Sequence, residues 1–248
     1  MEESTHNKME ETTDNKMEET TTSVSVTDIQ TNLSDNFQKC VKGYHMVNSS
    51  PIKESVWEDI NAVVLNESGF SITSQSSGSH KSGADLSCSL GDFSNKSSKY
   101  ENNKTCFGIS SYRLTKVCSE KTPGNIDDII AQINLRKNFT HYSILVRNET
   151  PDGFEYDWYL IPSDYPKFNP INYKWIPTLG QRGKKKDSVV GWETDVIDGS
   201  QMSIVFSMSS QLWINICITE DMKKFIIASC NVSKVPKISY IQLYNMDI

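Results

Sequence analysis

Between residues 76 and 100 the chain carries an aspartate, Asp85, then Ser94 nine positions on, and Lys96 two positions beyond that. Asp85 lies in a run of small and apolar residues, Ala84, Leu86, Cys88 and Leu90, and a second extended run follows Gly91 and Asp92. Two strands joined by a turn at Gly91 and Asp92 are the simplest reading. The period of two then places Ser94, Lys96 and Ser98 on one face and Phe93, Asn95 and Ser97 on the other. A carboxylate and an ammonium on neighbouring strands suit one specific kind of chemistry. The carboxylate can hold a hard divalent cation together with water and a phosphate oxygen. The lysine can orient an attacking water and offset charge that develops on phosphorus. The same two side chains can also form a plain surface ion pair, so the surroundings decide between the two.

Those surroundings read as helices and strands in a definite order. Ser50-Pro51 is a helix start, and Ile52, Val56, Ile60, Val63 and Val64 recur at helical spacing, which predicts a helix over 51–67. Glu58 lies beside that apolar stripe and is a candidate site carboxylate. A short strand over 70–74, the two strands already described and extended sequence over 107–117 come next. Pro123-Gly124-Asn125 opens a second helix over 126–137, with Asp127 and Asp128 in its first turn and Arg136 and Lys137 in its last. Strands over 142–147 and 154–161 complete the set. A helix that crosses over between strands of one sheet predicts an α/β core, an α+β mixed sheet with at least one parallel pair. The segment 162–186 reads as loop. Further strands over 189–197, 202–208, 211–218, 225–228 and 238–243 predict a β-rich C-terminal extension over about 187–248, antiparallel and packed on the core, with no helix in it.

The stretch from Ser77-Gly78 to Leu86, S-G-S-H-K-S-G-A-D-L, and the stretch S-N-K-S-S-K from Ser94 to Lys99 resemble the PD-(D/E)XK nuclease superfamily, in particular its type II restriction endonucleases. The resemblance covers about 51–147. It implies a restriction-endonuclease-like core, with Asp85 in the place of the metal-binding aspartate and Lys96 in that of the catalytic lysine. It further implies Mg2+ as cofactor, double-stranded DNA as substrate, sequence-specific cleavage and a homodimer. Two positions depart from the pattern: Ala84 stands where a proline is usual, and Ser94 where the second acidic residue is expected. The missing carboxylate then comes from Glu58 or from Asp92, or the site holds its metal weakly. A catalytically silent DNA-binding protein of the same fold and an unrelated α+β interaction protein are the competing readings.

Contacts to phosphate are expected from His80, Lys81 and Lys99 around the motif. The basic run Arg182, Lys184, Lys185 and Lys186 can settle on duplex backbone, and Gln181 and Arg182 have side chains suited to base edges. Composition bounds the rest. The chain has 248 residues, of which 37% are hydrophobic, with five Trp, ten Tyr and nine Phe, enough for one sizeable core. Residues 1–36 open on an eight-residue repeat, MEESTHNK and MEETTDNK, with no apolar periodicity, and predict a disordered acidic tail ahead of a single domain over 37–248, with its core over about 51–161. That tail carries nine acidic residues and two lysines. The whole chain is at −6, so the remainder is at +1 and can present a local basic surface despite a pI near 5.3. Six widely spaced cysteines without a CxxC, and no apolar leader, predict reduced thiols in an intracellular protein with no membrane span.

Overall fold

The computed structural model describes residues 26–76 and 83–246. The first helix, α1 (Val26–Val47), begins inside the segment expected to be a disordered tail. Leu33, Phe37 and Val41 recur every four residues and are buried, with Ile29, Cys40 and Tyr44 packed alongside, so this stretch does have a helical apolar stripe. The polar residues between them mask it. The tail boundary at residue 36 is therefore corrected, with helix from Val26 onward.

Helix α2 (Glu54–Glu67) starts three residues later than predicted and buries Trp57, Asn61, Val64 and Leu65. Three strands follow, β1 (Ile72–Gln75), β2 (Leu86–Cys88) and β3 (Gly91–Glu101), paired antiparallel in sequence. The turn falls at Ser89 and Leu90, ahead of the expected Gly91 and Asp92, which open β3. Gly91 enters the strand at φ 141°, and a Cβ there would lie 2.6 Å from Thr140 Oγ1, so glycine is required. Strand β4 (Cys106–Arg113), helix α3 (Ile126–Arg136), β5 (His141–Glu149) and β6 (Gly153–Pro162) come next. The Asn125 side chain caps α3 by accepting from the Asp127 N–H, as its sequence signals.

Strand β5 runs parallel to β3 after the crossover through α3, which supplies the expected parallel pair, and β6 returns antiparallel. The segment expected to be loop over 162–186 contains a strand, β7 (Trp175–Leu179). It pairs with β8 (Val189–Thr194), followed by β9 (Gln201–Val205) and β10 (Gln211–Cys217) in an antiparallel run that joins β4. Strand β11 (Ile226–Ser233) leaves that run and pairs with β6. The C-terminal strands thus extend the sheet from both edges, in the order β11-β6-β5-β3-β4-β10-β9-β8-β7. The last expected strand, over 238–243, is instead a short helix, α4 (Tyr240–Tyr244), held by a capping box between Ser239 and Gln242.

The architecture is mixed α and β around one large, mostly antiparallel, open sheet. Its two faces bury separate clusters. Phe93, Leu145, Tyr156 and Trp158 pack with α1 and α2 on one side. Tyr100, Ile144, Val146 and Ile161 pack with α3 and strands β4, β9 and β10 on the other. Among the described residues no helix is long and apolar enough to cross a membrane.

The expectation of six free thiols is also corrected. Cys106 and Cys217 stand opposite one another in the β4–β10 register and form a disulfide. Cys40, Cys88, Cys118 and Cys230 are free.

Candidate active site

The sheet opens where β3 meets β4. These strands pair only at Tyr100–Phe107 and Glu101–Cys106, and a Ser98 hydroxyl bond to the Gly108 carbonyl marks the last tie between them. Beyond it β4 stays with β10, while β3 stays with β5. A bulge adds one residue to β4 between Ser110 and Arg113, and such a bulge bends the strand that carries it. The resulting fork is a cleft of about 660 Å³.

One wall carries the residues that the sequence singled out. Asp85, Ser94 and Lys96 come from the β2–β3 hairpin, and Glu54 and Glu58 from the first turns of α2. Asp85 Oδ2 accepts from the Asn95 N–H at 2.7 Å and from the Ser94 hydroxyl at 3.3 Å, and lies 3.7 Å from Lys96 Nζ. Lys96, whose side chain is only 11% exposed, donates to Glu54 Oε1 at 3.0 Å and to the Asn95 carbonyl at 2.7 Å. Ser94 thus spends its hydroxyl on orienting Asp85. Glu54, absent from the sequence expectation, holds the lysine head. Its signal was present as a glutamate four residues before Glu58, the spacing that shares a helix face.

The strand that carries this pair is anchored from behind. Asn95 points to the opposite face, where Asn61 of α2 donates to its side-chain oxygen and, at 2.9 Å, to the Ser143 hydroxyl. Trp158 Nε1 reaches the same hydroxyl. Asn61 Oδ1 and Asn95 Nδ2 are left without partners in this buried network. Residues on one face of β3 are therefore fixed through backbone groups that the other face holds in place.

Burial pushes the Glu58 carboxyl up to about 7, helped by the negative charges of Asp85 and Glu54 and opposed by Lys96. The carboxylates of Asp85, Glu54 and Glu58 gather negative charge at this wall, and Lys96 offsets part of it. They form no closed cage. Among the described residues no three His, Cys, Asp or Glu side chains gather closely enough to hold a metal alone.

The other wall was not foreseen. It consists of Ser110, Ser111, Tyr112 and Arg113 from β4 and Lys116 from the turn after it, and Arg136 from the end of α3 lines the cleft as well. Tyr112 is held at about 12, chiefly by burial. Sequence reading placed no weight on these positions because neither β4 nor the end of α3 carries a recognisable motif.

Several expected site residues lie elsewhere. Asp92 is outside the cleft lining, at the start of β3, where its backbone bonds with Thr140, so the hairpin turn does not bring it to Asp85. Lys99 is exposed and, three residues on from Lys96, faces the other side of β3. Gln181, Arg182, Lys184, Lys185 and Lys186 sit in the β7–β8 connection, beyond the far edge of the cleft, and Lys185 Nζ pairs with Glu120 at 2.6 Å. His80 and Lys81 lie outside the described residues. No protein-family model, curated protein or solved structure matches the chain.

Proposed function

We propose that the protein is a Mg2+-dependent endonuclease that hydrolyses phosphodiester bonds of double-stranded DNA, as the resemblance to type II restriction endonucleases implies. The observation that carries this reading is the meeting of Asp85, Lys96 and Glu58 in a single cleft that is also lined by Arg113, Lys116 and Arg136. A bound Mg2+ would polarise the phosphate and lower the pKa of an attacking water. Asp85, with Glu58 beside it, is the group that would hold it. Glu58, lining the same cleft as Asp85, is the carboxylate that would take the proton released as the water oxygen bonds to phosphorus and the ester P–O bond breaks. Lys96, steadied by Glu54 and the Asn95 carbonyl, supplies fixed positive charge to the phosphoryl oxygens. Paired breaks in a duplex require two such clefts, so the reading includes a homodimer.

One observation favours a second reading. Ser94 brings no negative charge, and Lys96 is already paired with Glu54, an arrangement that also fits a catalytically silent DNA-binding protein. Incubating the purified protein with mixed-sequence plasmid, with and without Mg2+, separates the two. Cleavage that requires Mg2+ supports the nuclease. Binding without cleavage in any divalent ion assigns the silent protein, and neither activity removes both.

A further inference from the structure

We propose that Arg136, flanked by Arg113 and Lys116, is an anion subsite that takes a backbone phosphate of a nucleic-acid strand lying along the fork. The inference rests on the cleft being a phosphodiester site and says where that substrate is gripped. Arg136 ends α3, half-buried, and lines the same cleft as Asp85. Among the described residues it has no ion-pair partner, although three carboxylates line the same cleft. Residues 77–82, which precede Gly83 in the sequence, include no acidic residue. A last-turn arginine is favourable to a helix in itself. That role would be met equally well in solvent, whereas this guanidinium is turned into the cleft, where its charge acts on the Tyr112 hydroxyl together with that of Asp85.

Arg147 shows the alternative on the same sheet, since its guanidinium is occupied by Glu149 at 3.1 Å and the Ser98 carbonyl at 3.4 Å. A half-buried cation without a counter-ion is costly unless a ligand supplies one. The planar guanidinium fork fits two oxygens of a phosphate, which a lysine head does not. Arg113 and Lys116 line the same cleft, and both are exposed. Three cations in one cleft suit a polyanionic strand better than a single free phosphate. The cleft volume also lies in the range of sites that enclose a nucleotide-sized group.

The test is fluorescence anisotropy with a labelled mixed-sequence duplex in chelator, across a salt series, for wild type, Arg136→Ala, Arg136→Lys and the double change Arg113→Ala, Lys116→Ala. The same proteins are also titrated with inorganic phosphate alone, read by thermal shift. Arg136→Ala is expected to weaken duplex binding roughly tenfold or more, and Arg136→Lys to restore only part of it. The salt slope should fall by about one for Arg136→Ala and by up to about two for the double change. Arg136→Lys keeps the helix-end charge, so a loss seen in it cannot be put down to the fold of α3. Unchanged affinity and slope in Arg136→Ala overturn the subsite. Wild type that binds neither duplex nor phosphate overturns it as well. Arg136-dependent binding of inorganic phosphate alone overturns the nucleic-acid assignment. Arg136-dependent duplex binding without Mg2+-driven cleavage leaves the subsite in place and removes only the hydrolytic reading.

Discussion

The β3–β4 pair has two ends of opposite character. At the closed end, Tyr100 and Glu101 pair with Phe107 and Cys106, and the disulfide from Cys106 to Cys217 ties β4 to β10. Tyr100 and Phe107 are buried there, and Tyr100 donates to Asp157 at 2.6 Å. At the open end, only a few residues along, the same strands diverge and their side chains are charged or hydroxylic. A sheet normally closes such a gap because each unpaired backbone group is costly. Here β5 on one side and β10 on the other supply partners for the outer edges, so β3 and β4 can part without unravelling the sheet. Stability gathers at one end of the pair and reactive groups at the other.

The largest expected effect falls at the open end. Asp85→Ala and Lys96→Ala should each cut Mg2+-dependent DNA cleavage by at least about 100-fold. Their circular dichroism should stay that of the wild type while the melting temperature falls modestly, because each change removes hydrogen bonds at the cleft wall but opens no cavity in the apolar core. Full cleavage in either variant would dissolve the distinction between the two ends. The helix layer that holds β3 from behind is tested next. Phe37→Ala, at a fully buried position between Trp57 and Trp158, should cost about 3–5 kcal/mol in denaturant unfolding. A change below about 1 kcal/mol would show that α1 is dispensable.

A smaller effect is expected from the closed end. Cys106→Ala removes a bridge between residues 111 apart in sequence and should cost about 2–4 kcal/mol of stability. Cleavage per folded molecule should be unchanged, and a matching loss of activity would mean that the two ends are not independent. The smallest effect is a pH dependence. Glu58 is raised from the ordinary 4.5 to about 7 in the folded protein, so the native state binds more protons than the unfolded chain across that interval. The unfolding free energy should therefore fall as pH rises from about 4.5 to 7 and level off above. Glu58→Gln should flatten that slope, by less than about 1 kcal/mol once solvent screening of this half-exposed group is allowed for. Parallel stability curves for the two proteins would show that Glu58 is not crowded by Asp85 and Glu54.

Local sequence determined a good deal by itself. The capped helix after Asn125, the apolar stripe of α2, the strands β5 and β6 and the face alternation of β3 follow from residue types and spacing within a few positions, because capping, periodicity and pleat are short-range effects. The proximity of Asp85, Ser94 and Lys96 belongs to the same class, since a hairpin brings together residues about ten apart. Helix α1 was legible only in part: its stripe of Leu33, Phe37 and Val41 was outweighed by the acidic repeat before it and the polar residues around it.

Tertiary structure alone decided the rest, because it turns on which strand edges find each other across many tens of residues. Strand β10 pairs with β4 and β11 with β6, so the C-terminal strands were divided between two edges that no local pattern distinguishes. The packing of α2 on the sheet set Glu54 on the lysine head, the crossover brought Arg136 to the cleft that Asp85 lines, and the β4–β10 pairing brought Cys106 against Cys217. Long-range pairing is chosen by the fit of whole faces and edges. No window of sequence carries that information.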